Sequence, residues 1–283
     1  MGPTFLRAAT PADYGLYVRF QAELGVEDPP LPSERWEKES VPGTAFLVAE
    51  GVDAAYAFWD WAPTGNPGAG PAEEIYVRHL VVEAHLRGRG LGRCLMVSLA
   101  RRFREQGALR WRLNVLRTNR SAVLLYESMG LRPHYSTAVM RLPWALAGVL
   151  PMPAASRVRA DESPDTDDAD LERRFGLLSG QISRARGRAG VRVIVTRETD
   201  DPKGAGPLGL AVFDPSFPGT FPFRCESPAH LGPLVKCLAQ LYSGESPYVQ
   251  LVVEDAPSIA DALASAGAAR IHDIVHMRGE LPR

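Results

Sequence analysis

The hexapeptide RGRGLG, Arg87 to Gly92, is the stretch whose residue types and spacing point most directly to chemistry. Closely spaced glycines let successive main-chain N–H groups converge on one point, and a helix beginning there adds free donors and partial positive charge. The natural guest is a phosphate or a diphosphate. Two familiar cradles do not fit. A dinucleotide fingerprint needs glycine where Arg93 stands, and a P-loop needs Lys followed by Ser or Thr. The plain alternative is a strand-to-helix turn with its arginines in solvent.

A cradle of this kind needs a strand before it and a helix after it. Ile75–Val82 is rich in β-branched residues, and in Leu91–Gln106 the residues Leu91, Leu95, Leu99 and Phe103 recur at helical spacing. Ahead of them, Thr10 and Pro11 suit the start of a helix running to Leu24. Ala45–Glu50 and Val52–Trp61 form a predicted hairpin about Gly51, ended by the Pro/Gly stretch Pro63–Pro71. Trp111–Leu116 is a predicted strand, Asn119–Met129 a helix ended by Gly130, and Tyr135–Leu142 a strand.

After a segment rich in Pro, Ala and Asp the order repeats. A short strand lies at Arg157–Arg159, a helix at Leu171–Ala185, and strands at Val191–Arg197, Leu208–Phe213 and near Phe221–Cys225. Then come a helix (Leu231–Tyr242), a strand (Val249–Val253), a helix (Ser258–Ala266) and a strand (Ile271–Met277). An offset of 137 positions lays Val115 on Val252, Ser121 on Ser258, Gly130 on Gly267 and Met140 on Met277 without a gap. The expected fold class is α/β of the α+β kind, as two tandem copies of one domain, each a mixed, mostly antiparallel sheet flanked by helices. The expected division is a first domain over 1–143, a linker over 144–155 and a second domain over 156–283.

LVVEAHLRGRGLG followed by NRSAVLLYESMGL resembles the two diagnostic segments of the GNAT superfamily of N-acetyltransferases, and the resemblance covers residues 5 to 142. It implies that the turn matched by Arg87, Gly90 and Gly92 holds the CoA diphosphate through main-chain amides, so that Gly88, Arg89, Leu91 and Arg93 share the site. It implies further that Leu80, Val81 and Val82 pair with the pantetheine arm, that Asn119 belongs to the cofactor-binding set, and that Tyr126 reaches the departing sulfur. The expected reaction is direct attack of a primary amine on the acetyl-CoA thioester in a ternary complex, without a metal. The doubled architecture is similar to that of the mycothiol synthase family. There the second copy is the active one, whereas here the first copy holds the motifs and the second is degenerate: Ala256 and Leu263 stand where Asn119 and Tyr126 do in the first, and Pro228 and Pro233 remove amide donors.

An alkylamine with a reference pKa near ~10.4 costs about 4.6 kcal/mol to deprotonate at pH 7, whereas a thiolate leaving group near ~8.5 needs only roughly 2. A base therefore matters more than an acid. Glu74 and His79 are the candidates, with Glu73 and Tyr76 behind them. Strict alternation puts Glu74 and Tyr76 on one face and His79 on the other. Asn114, at the place where many relatives carry glutamate, cannot accept a proton, so a water chain stays open as an alternative.

Composition bounds the partners. The formal charge is −1, which supplies no field for nucleic acid or anionic lipid, and no apolar run is long enough to cross a bilayer. With no signal-peptide pattern at Met1 and only Cys94, Cys225 and Cys237, the expectation is a cytoplasmic monomer or homodimer with no disulfide framework and no metal. The expected partner is a small-molecule or peptide amine, recognised by segments 21–36 and 59–71. The rival reading is a non-catalytic module that senses acetyl-CoA and contacts a protein through its second domain.

Overall fold

The protein is described by a computed structural model covering residues 3–24, 29–62, 73–153, 158–199 and 206–282; the Pro63–Pro71 stretch lies outside the described residues. The chain forms two compact units. One comprises residues 1–134 and 275–283, the other residues 135–274.

The first unit carries β1 (Thr4–Ala8), α1 (Tyr14–Ala22), a short turn α2 (Ser33–Arg35) continued by Trp36–Ser40, β2 (Thr44–Ala49), β3 (Val52–Trp61), β4 (Glu74–Val82), α3 (Leu91–Glu105), β5 (Arg110–Leu116) and α4 (Arg120–Ser128). Strands β1 to β4 pair antiparallel in sequence order, and β4 pairs parallel with β5. Alternation along the strands fills two cores. Ala45, Leu47, Ala57, Ile75 and Val77 face α3, burying its Leu91, Leu95, Leu99 and Phe103; Phe46, Tyr56 and Val81 face α1, against Phe20 and Trp36.

The second unit begins within β6 (Arg132–Pro143). It continues through β7 (Val158–Glu162), α5 (Asp168–Arg174), α6 (Gln181–Arg186), β8 (Arg192–Glu198), β9 (Gly209–Asp214), β10 (Gly219–Cys225), α7 (Leu231–Leu241), β11 (Tyr248–Glu254), α8 (Pro257–Ser265) and the first part of β12 (Ala269–Glu280). Its pairing repeats that of the first unit: β7 to β10 antiparallel in order, β10 parallel to β11.

Compactness divides the chain otherwise than at the expected domain limits of 143 and 156, because each unit takes its last strand from the far half of the sequence. The strand order is β1-β2-β3-β4-β5-β12 in the first unit and β6-β11-β10-β9-β8-β7 in the second. Val275, Met277 and Leu281 thus lie in the first unit's core, and Ala138, Met140 and Leu142 in the second's. The single helix expected over Leu171–Ala185 is two. Gly176 and Gly180 take positive φ (+64° and +72°), and the buried Glu172 carboxylate turns back to accept from the N–H groups of Gly180 and Ile182, each at 2.7 Å, which caps α6.

Candidate active site

Strands β4 and β5 stay hydrogen-bonded only from Glu74–Arg110 to Val77–Leu113. Past that point β4 remains paired with β3 as far as Val82, while β5 runs on to Leu116 without β4. The two strands therefore part like a wedge, and the β4 edge at Leu80, Val81 and Val82 has no strand on that side among the described residues. Val81 is buried toward α1, and Leu80 and Val82 are half-buried toward α3.

The glycine loop closes the wide end of this wedge. Gly88 and Gly90 adopt left-handed φ of +78° and +80°, where a side chain is strained, and a Cβ on either would meet nothing within 4 Å. Gly90 is the N-cap of α3, and its carbonyl accepts from Cys94 N–H at 3.1 Å. None of the main-chain N–H groups from Gly88 through Arg93 finds an acceptor among the described residues. Successive free donors at the positive end of a 15-residue helix are the arrangement that an anion would need. Gly92 answers a different need: a methyl there would stand 3.2 Å from Leu125 Cδ2 and 3.8 Å from Val82 Cγ2, so β4, α3 and α4 converge on it.

The arginines of the loop are used unevenly. Arg87 donates to the Val82 carbonyl (2.9 Å) and to Glu23 (2.7 Å), tying the loop to the end of β4 and of α1. Arg93 donates to Ser128 Oγ at 2.8 Å, joining α3 to α4, and Arg89 is exposed without an ion pair among the described residues. Asn119 caps α4: its Oδ1 accepts from Ala122 N–H (3.2 Å) and Ser121 Oγ (3.1 Å). Tyr126, one helical step beyond Leu125, is buried, its hydroxyl has no partner among the described residues, and burial pushes its pKa up to about 12.

The expected faces of β4 need correction. Between Val77 and His79 the register against β3 shifts by one residue, since Trp59 opposes Val77 and Phe58 opposes His79, leaving Arg78 as the extra residue of a bulge. The bulge resets the alternation, so that His79 lies with Glu74 and Tyr76 on the α1 face. The Glu74 carboxylate bridges two guanidinium groups, bonded to Arg278 and 3.9 Å from Arg112. Glu73, further out, pairs with Arg110 at 3.5 Å. Tyr76 Oη accepts from Asn114 Nδ2 at 2.6 Å across the narrow end of the wedge.

His79 Nδ1 lies 3.3 Å from Tyr56 Oη, and burial, helped by Arg78, lowers its pKa to about 4. The folded protein therefore keeps this imidazole neutral where the unfolded chain, at about 6.5, would protonate it. Stability should fall as pH drops through the window from about 6.5 to about 4, in which the unfolded chain binds the extra proton. His79→Gln should flatten that part of the slope in urea unfolding series. Parallel slopes for the two proteins would contradict the assignment.

In the second unit both features are closed. By the 137-position offset, Gln250, Leu251 and Val253 stand for Leu113, Asn114 and Leu116, yet β10 pairs with all three, so those strands do not part. At the start of α7 the Gly232 N–H donates to the Pro151 carbonyl at 3.0 Å, and a Cβ on Gly232 would stand 2.3 Å from Met152 Sδ. The chain's own backbone fills the place where an anion would be held. Among the described residues no His, Cys, Asp and Glu group could hold a metal ion, and no helix is long and apolar enough to cross a membrane.

Residues 42–133 match the family model described as the acetyltransferase (GNAT) domain. The mycothiol acetyltransferase of Nocardiopsis dassonvillei is 36% identical over 103 residues, which cover 35% of this chain and 30% of that protein, so the match spans less than a third of the relative. A GCN5-related N-acetyltransferase from Sphaerobacter thermophilus superposes with a TM-score of 0.68 at 21% identity, covering 99% of this chain and 96% of that one. A tandem GNAT protein from the clavulanic acid biosynthesis pathway superposes with a TM-score of 0.58 at 16% identity, covering 99% of both. At those identities the likeness is one of fold, and the fold is the tandem GNAT arrangement.

Proposed function

We propose that this chain, with a GNAT acetyltransferase domain in its first half and a tandem GNAT fold throughout, transfers an acetyl group from acetyl-CoA to a primary amine by direct attack. The observation that carries the reading is the run of unpartnered N–H groups from Gly88 through Arg93 at the wide end of the β4–β5 wedge. Those donors would hold the diphosphate of CoA, and the free edge at Leu80, Val81 and Val82 would receive its pantetheine arm. The thioester supplies an activated acyl carbon with a good leaving group; everything else falls to the protein.

Tyr126 keeps its proton throughout the neutral range. A phenol near 12 cannot protonate a thiolate near ~8.5 to any large extent, so its part is to donate a hydrogen bond to the departing sulfur as charge develops there. Tyr126→Phe should lower kcat by about 10–100-fold and leave acetyl-CoA affinity within about twofold, measured by CoA release and calorimetry. An unchanged kcat would remove Tyr126 from the mechanism.

Proton removal from the amine falls to water beside His79: an imidazole near 4 is too weak a base to keep a proton from an ammonium near ~10.4, so its part is to accept a hydrogen bond and orient that water. For Nε2 to accept, Nδ1 must carry the hydrogen and donate to Tyr56 Oη, a geometry the 3.3 Å contact allows. Glu74, with its carboxylate shared between Arg278 and Arg112, is left to order the strands. That same engagement favours the second reading, a module that binds acetyl-CoA without turning it over. Tight acetyl-CoA binding with no CoA release against any amine would select it.

A further inference from the structure

Half-buried Arg112, on β5, is held against the site without being used there. Its guanidinium lies 5.0 Å from the centre of the Tyr76 ring, and among the described residues its buried Nε has no hydrogen-bond partner and its one ionic neighbour is Glu74 at 3.9 Å. Glu74 is instead bonded directly to Arg278. A guanidinium brings five N–H donors in a planar fork that matches a carboxylate; here Nε is buried without an acceptor, and the terminal N–H groups, on a side chain 36% exposed, are bonded to no group among the described residues. Arg78 also lies against the Tyr76 ring, at 4.7 Å, and is paired with Asp60. Among the described residues around the Tyr76 ring, Arg78, Arg112 and Arg278 thus share the two carboxylates of Asp60 and Glu74, and the surplus charge sits at Arg112.

The position of Arg112 relates it to the reaction. Asn114, which bonds Tyr76, is the first residue of β5 beyond the point where the strands part, and Arg112 lies two residues back on the same face, about 7 Å away. We infer that Arg112 is a specificity-determining residue that binds a carboxylate carried by the acceptor within a few bonds of its amine. The inference rests on the acetyltransferase reading and narrows its substrate class to amino acids and carboxylate-bearing amines. Tyr76 and Asn114 form the floor between the carboxylate and the wedge.

The test uses the full chain, acetyl-CoA, and matched amine pairs: alanine with alaninamide, and β-alanine with β-alaninamide. CoA release gives kcat/KM for each. Comparing the acid-to-amide ratio between wild type and Arg112→Gln cancels differences in amine acidity. The ratio should fall about 10–100-fold in Arg112→Gln, through a raised KM for the acids, with the amides unchanged. Arg112→Lys, which keeps the charge without the fork, should fall between. Thermal unfolding and acetyl-CoA calorimetry on each variant establish that fold and cofactor site persist. Equal ratios in wild type and Arg112→Gln with intact acetyl-CoA binding, or a wild type that binds acetyl-CoA but acetylates neither acid, overturn this inference and leave the cofactor site standing. A wild type that does not bind acetyl-CoA overturns both.

Discussion

Glutamate in place of Gly90 is expected to abolish acetyl-CoA binding, with a loss of at least about 100-fold by calorimetry, while the fold survives. The backbone there has φ +80°, so any side chain costs roughly 1–2 kcal/mol in strain, but no atom lies within 4 Å of the new Cβ and nothing need move. The dominant effect is electrostatic: a carboxylate set among the free amides competes for them and repels the diphosphate. Two like charges about 4 Å apart near a protein surface repel by about 4 kcal/mol, which is roughly a thousandfold. Gly90→Ala separates the contributions, since it shares the strain and adds no charge. It should lose the same few degrees of Tm and keep affinity within about tenfold. Undiminished affinity in Gly90→Glu would mean that the amides from Gly88 through Arg93 do not face a diphosphate, and the acetyltransferase reading would go with them.

Alanine in place of Met277 is expected to destabilise the unit that holds the site, although residue 277 lies 148 or more positions beyond Tyr126 and Met129, with which it shares a core. Met277 is fully buried and neighbours Val275 and Leu281, also buried in the first core. Emptying such a site costs about 2–5 kcal/mol, which for a unit of this size lowers Tm by about 5–15 °C. Trp59 and Trp111 are buried in that core and report its melting by fluorescence. Bound acetyl-CoA should raise this transition in both proteins, which ties it to the unit carrying the glycine loop. A Tm within a degree of wild type would show that the end of β12 is dispensable to that core.

How much of this was legible in the sequence depends on how local each feature is. The strand, glycine loop and helix around Arg87 were legible because period and turn chemistry are written in adjacent residues: Leu91, Leu95, Leu99 and Phe103 are all buried, and Gly88 and Gly90 take the left-handed conformation. The break between α5 and α6 had a signal, Gly176 and Gly180, that the apolar spacing of Leu171–Ala185 obscured. The bulge at Arg78 had none, since it is a property of how β4 sits against β3, and it moved His79 to the face of Glu74. Arg112 looked like any other strand arginine; its unbonded guanidinium emerges only once Arg278 has taken Glu74. The Pro151 carbonyl at Gly232 joins residues 81 positions apart. Nor does any strand pattern say which copy a terminal strand will complete, because β6 and β12 have the same length and follow the same kind of helix.

The borrowed strand has a consequence for synthesis. A ribosome making this chain produces the glycine loop and α4 early, but the residues that finish their core, 275 to 281, follow only after the whole of 135–274 has been made. At about 5–20 residues per second that interval is on the order of ten seconds. During it the nascent first unit waits with an uncovered strand edge at β5, so its maturation should depend on chaperones and on the pace of translation more than that of a domain closed within its own contiguous segment.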